Sequence, residues 1–106
     1  MSKSHDTLLD FAATLFGTTP RDICSPSRYA WHINARFAVA FVMRMRDHMG
    51  YREIAGVLGG RDHATVHNAV RAAGNMLLRD DAYRNVVRAL WDHNPRTLDD
   101  VLEGLS

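Results

Sequence analysis

The residues best suited to chemistry form one polar run, Gly-Gly-Arg-Asp-His-Ala-Thr-Val-His-Asn-Ala-Val-Arg, at positions 59–71. Arginine can form two parallel hydrogen bonds with a phosphate or with the edge of a guanine, and His, Thr and Asn side chains can form hydrogen bonds with the edges of nucleobases. From Val66 onward apolar residues recur at helical spacing, which leaves the polar residues on the opposite side. The run therefore predicts a helix that presents hydrogen-bonding groups outward after a two-glycine turn.

The histidines of this run and the cysteine of the chain have alternative interpretations as metal ligands or catalytic groups. His63 and His67 have the i, i+4 spacing of the His-Glu-x-x-His metal helix, but Ala64 stands where that motif has glutamate. Since no third ligand has convincing spacing, we expect no metal. Cys24 is the single cysteine, and we interpret it as a small apolar filler rather than a nucleophile. We therefore expect no enzyme activity. Asp62 has two interpretations: a helix cap, or an acceptor for a cytosine amino group.

The elements that must position this run are all predicted to be helices. The 106 residues suit one domain over positions 1–106, with 1–5 disordered, and a composition of 46% hydrophobic and 24% charged residues is typical of a globular protein. Strand alternation, repeats and low-complexity tracts are absent. We therefore predict an all-α multi-helix bundle with a helix-turn-helix at about 51–79.

Apolar spacing and capping signals set the expected helix bounds. The predicted segments are 7–16, a short turn after Thr19, 31–48, 51–58, a helix from the polar run to about 79, 82–91 and a last turn or two from Thr97. The long helix 31–48 is expected to be the central helix of the core and to end at Gly50. Arg36 is expected on a side of this helix that reaches water. Trp31 and Trp91 are expected to pack in or against the core.

Charge is distributed unevenly although the net charge is only +1. Residues 28–79 carry eight arginines against three acidic residues, a net charge of +5, and the remainder carries −4. The basic part coincides with the predicted helix-turn-helix. The excess of Arg over Lys is weak support for DNA binding, because GC-rich codons produce the same bias.

No signal peptide or membrane-length apolar run is present, and one cysteine fits a reducing compartment. We expect a cytoplasmic, nucleoid-associated protein with no membrane partner.

Positions 59–71 resemble the signature of the C-terminal DNA-binding domain (domain IV) of the bacterial replication initiator DnaA. That signature is essentially Gly-Gly-Arg-Asp-His-Thr-Thr-Val followed by a helix with an arginine one turn further on. The matching residues are Gly59, Gly60, Arg61, Asp62, His63, Thr65, Val66, Ala69 and Arg71. The resemblance runs without a gap back to Arg28 and more loosely over Leu8 to Ala89. It implies a TrpR-like, DnaA domain IV-like fold.

The resemblance also implies how duplex DNA would be held. The helix that opens in the polar run enters the major groove, and a loop ahead of the long helix reaches the minor groove. By the matching positions, Arg28 is the minor-groove residue, while Arg36 and Arg44 touch DNA from the long helix. Arg61 and Arg71 match positions that hold phosphate. Residues that match base-edge positions are Asp62, His63 and Thr65.

The departures from the family pattern predict an altered site preference. Ala64 replaces the first of two threonines, although its methyl group can meet a thymine methyl. His67 and Asn68 stand where the family usually has Leu and His, and both can form hydrogen bonds with DNA. The basic cluster of the minor-groove loop is reduced to Arg28, with Ala30 and Asn34 at family arginine positions, and Arg52 stands where the family often has proline.

Together these features predict a monomeric, sequence-specific binder of double-stranded DNA that controls replication initiation or transcription. The sequence contains no Gly-x-x-x-x-Gly-Lys-Ser/Thr loop, so we expect no nucleotide cofactor and only the DNA-reading part of an initiator. Occupation of sites like those of DnaA is one route to that control. The alternative is a helical protein-interaction module that antagonises an initiator, a replication protein being its partner, without binding DNA.

Overall fold

The protein is all-α, as the sequence predicts. A computed structural model describes residues 3–91 and 95–105, with side chains for 7–91 and 98–105. The described residues form helices and no strand. The helices are α1 (Lys3–Phe16), α2 (Pro20–Ile23), α3 (Ala30–Met45), α4 (Tyr51–Val57), α5 (His63–Arg79), α6 (Asp81–Trp91) and α7 (Pro95–Leu105). Residues 3–5, which were expected to be disordered, belong to α1; residues 1 and 2 lie outside the described part.

The long helix α3 is the central buried helix, as its composition predicts. It packs most extensively against α5 and also against α1. The run of apolar side chains leaves almost no water-facing side in its middle. The fully buried members of that run are Ala38, Val39, Ala40, Phe41, Val42 and Met43. The helices α1, α2, α4, α5 and α6 all pack against α3, and α7 packs against α5 and α6.

The connection from α3 to α4 differs from the prediction. The helix ends at Met45 rather than at 48, because His48 adopts a left-handed φ of 57° and the amide of Met49 donates to the carbonyl of Met43 at 3.0 Å. Gly50 is not the end of α3 but the residue that precedes α4, in extended backbone. The chain therefore reverses one turn earlier than periodicity indicated, and α4 begins at Tyr51 as predicted.

The predicted helix-turn-helix is present as α4, a turn and α5. Gly59 and Gly60 make the turn with φ of +94° and +77°, a conformation that L side chains rarely adopt. The inward stripe of α5 is as the spacing predicts, with buried residues Val66, Ala69, Val70, Ala73 and Leu77. Packing of that stripe on α3 leaves the opposite side of α5 in solvent.

The two tryptophans differ in how exposed their side chains are. Trp91 is 1% exposed and packs beside Phe41, with ring centroids 6.2 Å apart. Trp31 is 49% exposed at the start of α3, so it lies outside the core and is only partly buried, in contact with Tyr29 and His32. Apolar side chains of the long helix are buried where α1 and α5 cover them, and its first turn lies before that cover begins.

Candidate nucleic-acid interface

The outward side of α5 brings together the polar residues that the sequence singled out. The exposed residues in its first half are His63, Ala64, Thr65, His67, Asn68 and Arg71. They lie within about two turns of the amino end of the helix, where the first amides have no intrahelical partner and carry partial positive charge. The side is thus a continuous surface of donors, acceptors and one methyl group.

Asp62 occupies the N-cap position of α5, but its side chain caps no amide. Its backbone is extended, with φ −68° and ψ 139°, and its carbonyl accepts from the amide of Val66 at 3.2 Å. The carboxylate lies 3.5 Å from Nδ1 of His63, and both side chains are more than half exposed. The carboxylate therefore keeps acceptor capacity toward solvent or a ligand.

His67 is connected to α3 through an aromatic contact. Its ring meets the Tyr51 ring edge-on, with centroids 5.1 Å apart, and the guanidinium of Arg44 lies 4.2 Å from the centre of the same Tyr51 ring. Nη1 of Arg44 also donates to the carbonyl of Met49 at 3.0 Å. Arg44 thus stabilises the junction of α3, α4 and α5, and its side chain is only partly exposed.

Arg36 is buried, which corrects the expectation that it reaches water. It is 7% exposed. Its Nε donates to the carbonyl of Ile23 at 2.7 Å, and Nη2 donates to the carbonyls of Ser25 at 2.7 Å and Ser27 at 3.2 Å. The loop before α3 folds back over the helix and surrounds the guanidinium. In this arrangement Arg36 organises the loop and offers little surface to a phosphate.

Arg61 ties the same loop to the helix-turn-helix. Its Nε donates to the carbonyl of Leu58 at 3.0 Å, and its Nη2 donates to the carbonyl of Ser25. The Ser25 carbonyl therefore accepts from Arg36 and Arg61 together. Burial and the neighbouring Arg61 charge lower the pKa of Arg36, yet an arginine remains charged at any physiological pH. The two guanidiniums fix the loop against the turn.

Cys24 and Gly59 complete this junction. The thiol of Cys24 donates to the carbonyl of Val57 at 3.4 Å, and burial raises its pKa, opposed in part by Arg61 and Arg36. A Cβ added to Gly59 would lie 2.3 Å from the carbonyl oxygen of Cys24. The turn and the loop are therefore in direct backbone contact, and the thiol is a half-buried structural group.

Arg28, at the end of this loop, is exposed, as are Arg52 and Arg71. Within the described residues none of the three makes a hydrogen bond or ion pair, so their charges are available to a ligand. Arg52 also lines a shallow groove at the amino end of α5 together with Gly60, Arg61, Asp62 and His63. The residue that departs from the family pattern thus adds a cation beside the expected base-reading residues.

The junction around Ser25 was not predicted from the sequence. Backbone carbonyls are its acceptors, and no residue type marks a carbonyl that will receive two arginines. The glycine pair was the one local signal of a close approach.

In the described part of the chain, no three His, Cys, Asp or Glu side chains are grouped as metal ligands, and no helix there is long and apolar enough to cross a membrane.

Comparison with known proteins assigns this arrangement to a family. The family described as Bacterial dnaA protein helix-turn-helix matches residues 5–72, which include the loop, the turn and the first half of α5. The chromosomal replication initiator protein DnaA of Aliarcobacter butzleri (strain RM4018) is 26% identical over 83 residues. The match covers 78% of this chain and 19% of that protein, so the chain spans about a fifth of this relative's length. Because the family match covers more than half of the chain, this protein belongs to the bacterial DnaA helix-turn-helix family.

Proposed function

We propose that this protein binds double-stranded DNA sequence-specifically, with α5 in the major groove and the Arg28 loop in the adjacent minor groove. The observation that carries the proposal is the junction at the Ser25 carbonyl, where Arg36 and Arg61 hold the loop and the helix-turn-helix as one rigid unit. A preorganised pair of contact elements loses less entropy on binding than a mobile loop would.

Charge and exposure divide the residues of this surface by role. Arg28 enters the minor groove, and Arg52 and Arg71 bind backbone phosphates, which fix register without reading sequence. Bases are read by the exposed residues at the start of α5. These are Asp62, His63, Ala64, Thr65, His67 and Asn68. Arg36, Arg44 and Arg61 position these elements from within the protein.

The biological role that fits is control of replication initiation or transcription. A. butzleri DnaA is named a replication initiator, and this chain aligns with 19% of it. A protein with a related reading surface can occupy sites that overlap those of an initiator and so limit the initiator's access to them. Such a role requires no catalysis, and it takes place on chromosomal DNA in the cytoplasm.

A protein-interaction module is the second candidate, and one observation favours it. Three of the five arginines that were expected to bind DNA, Arg36, Arg44 and Arg61, donate to backbone carbonyls of the protein itself. These guanidinium groups keep their charge, but the donors that bind the protein's own backbone are not free to bind a phosphate. The exposed Thr65, Asn68 and Arg71 oppose this candidate, because a purely structural helix requires only its apolar stripe.

The test is selection of bound sites from random duplexes at a fixed, stated salt concentration. We expect one enriched sequence, with Thr65→Ala relaxing the preference at a single position at a cost of roughly 1–3 kcal/mol. Thr14→Ala is the matched control, because Thr14 is an exposed threonine on α1, outside the proposed surface. If no sequence is enriched above non-specific competitor, the DNA-binding proposal fails and the protein-partner candidate is favoured.

A further inference from the structure

Two exposed aromatic rings lie beside Arg28 and have no part in the duplex contacts proposed above. Tyr29 precedes α3 and Trp31 is in its first turn. The two rings are stacked, with centroids 4.9 Å apart and planes inclined by 12°. Tyr29 is 62% exposed and Trp31 is 49% exposed. The protein thus presents a two-ring apolar stack to water beside an unpaired cation.

His32 holds the stack in place. Its ring meets Tyr29 and Trp31 edge-on, with centroid distances of 5.5 Å to each. His32 itself is buried, with Nδ1 2.6 Å from the hydroxyl of Ser27 and Nε2 3.7 Å from a carboxylate oxygen of Asp22. Rings that are fixed in this way lose little rotamer entropy when a ligand covers them.

The charges around the stack favour a ligand that is planar and anionic. Ser27, Arg28 and Tyr29 line one shallow depression, and Arg28 has no acceptor within the described residues. The amino end of α3 adds partial positive charge. The carboxylate of Asp22 lies near Nε2 of His32, the histidine that contacts both rings. A nucleotide matches this surface, because its base has a flat face and its phosphate is negatively charged.

We propose that Tyr29 and Trp31 are a stacking platform for an unpaired nucleobase of DNA that flanks the duplex whose minor groove Arg28 enters. The inference rests on the proposed function for the duplex next to it and extends that function to the flank of the site. Within an intact duplex both faces of a base are covered by its neighbours, so the platform requires an unpaired base. Stacking is tolerant of sequence, since every base has such a face.

The experiment compares a blunt duplex carrying the selected site with the same duplex bearing short thymidine tails. Trp31 is its own reporter, because the chain has two tryptophans and Trp91 is 1% exposed. We expect the tails to raise affinity on the order of tenfold and to quench Trp31 fluorescence. Tyr29→Ala and Trp31→Ala should remove the gain, whereas Trp31→Phe retains it. Phe11→Ala is the control, since Phe11 is a 37% exposed aromatic on α1.

Equal affinity of wild-type protein for blunt and tailed duplexes would overturn the platform. An equal loss on both duplexes in Tyr29→Ala would also overturn it, because the rings would then pack on duplex sugars. If neither duplex binds, the proposed function fails, and a thymidine oligomer alone decides this inference. Quenching by the oligomer that Tyr29→Ala abolishes supports the platform, and no quenching rejects it. Circular dichroism checks that each variant is folded.

Discussion

Arg36 donates its guanidinium N–H groups to the protein's own backbone. The carbonyls of Ile23, Ser25 and Ser27 are turned toward it, away from any helix or sheet partner. Buried carbonyls left without donors cost about 1–3 kcal/mol each, and bonds to a charged donor are at the stronger end of the range. The residue is therefore best understood as a loop organiser whose effect on DNA binding is indirect.

Substitution of Arg36 is predicted to affect stability first. Arg36→Met keeps the apolar stem and removes all the donors, so we expect a loss of about 3 kcal/mol in the free energy of unfolding. Urea titration followed by circular dichroism measures it. Arg28→Met is the matched control, and its exposed side chain should change stability by less than about 0.5 kcal/mol. Equal effects of the two substitutions would contradict the assignment of Arg36 to the loop.

Tyr83 gives the protein a pH dependence on the alkaline side. Its hydroxyl donates to the carbonyl of Asn34 at 2.9 Å, and burial, together with the Asp80 charge, raises its pKa well above the ordinary value of 10.0. The folded state thus favours the protonated phenol. This contribution to stability is complete below pH 10 and decreases as the pH rises from 10 toward the raised pKa.

Tyr83→Phe should separate the two effects. Near neutral pH the variant loses the hydrogen bond to Asn34, which corresponds to about 1 kcal/mol of stability. Above pH 10 it should lose less further stability than the wild type, because no buried phenol has to ionise. Urea titrations at a series of pH values from 7 to about 11 measure both. Parallel alkaline profiles of the two proteins would show that Tyr83 does not cause the decrease.

At the scale of elements, the function depends on the contact between the loop before α3 and the turn before α5. Cys24, Arg61 and Gly59 meet there, and a side chain added at Gly59 would collide with the Cys24 carbonyl. The neighbouring Gly60 has a similar left-handed φ but nothing within 4 Å of an added Cβ. The two glycines therefore separate the effect of backbone strain from that of contact.

Gly59→Ala is predicted to be much more harmful than Gly60→Ala. Each substitution places an L side chain at positive φ, at a cost of about 1–2 kcal/mol. Gly59→Ala must in addition displace the Cys24 carbonyl, so we expect a total loss above about 3 kcal/mol. Thermal unfolding of both variants measures the difference. Similar melting temperatures would mean that the loop moves away easily and is not held against the turn.

At the scale of the whole molecule, the basic segment 28–79 has a net charge of +5, but only some of its arginines have side chains free to contact a ligand directly. Arg36, Arg44 and Arg61 are bonded within the protein, whereas Arg28, Arg52 and Arg71 are exposed without partners in the described residues. Attraction to DNA is therefore concentrated in a few side chains around the reading surface.

The salt dependence of DNA binding should reflect this small number. Three arginines that displace counterions, Arg52 and Arg71 on phosphates and Arg28 in the minor groove, give a slope of roughly −3 in log K against log salt. Arg71→Ala should reduce the slope by about one unit without loss of stability. Arg88→Ala is the control, because Arg88 lies on α6 and pairs with Asp99 at 2.6 Å. A slope near −6 or steeper would show that the internally bonded arginines also reach the DNA.

The sequence by itself determined the local features of this protein. Helical spacing predicted α1, α3, α4, α5 and α6 to within a few residues, and the glycine pair predicted the turn before α5. These predictions succeed because periodicity and left-handed turns are properties of neighbouring residues. The outward residues of α5 followed from the same periodicity, since burial of one stripe leaves the opposite side exposed.

Only the tertiary structure decided which charges and rings are available to a ligand. Arg36 and Arg28 are the same residue type in the same segment, yet one is buried under the loop and the other is exposed. Trp31 and Trp91 differ in the same way. Burial of a long side chain depends on which distant segment folds over it, and here that segment is the loop whose carbonyls surround a guanidinium. The spacing of residue types along the sequence does not predict that contact.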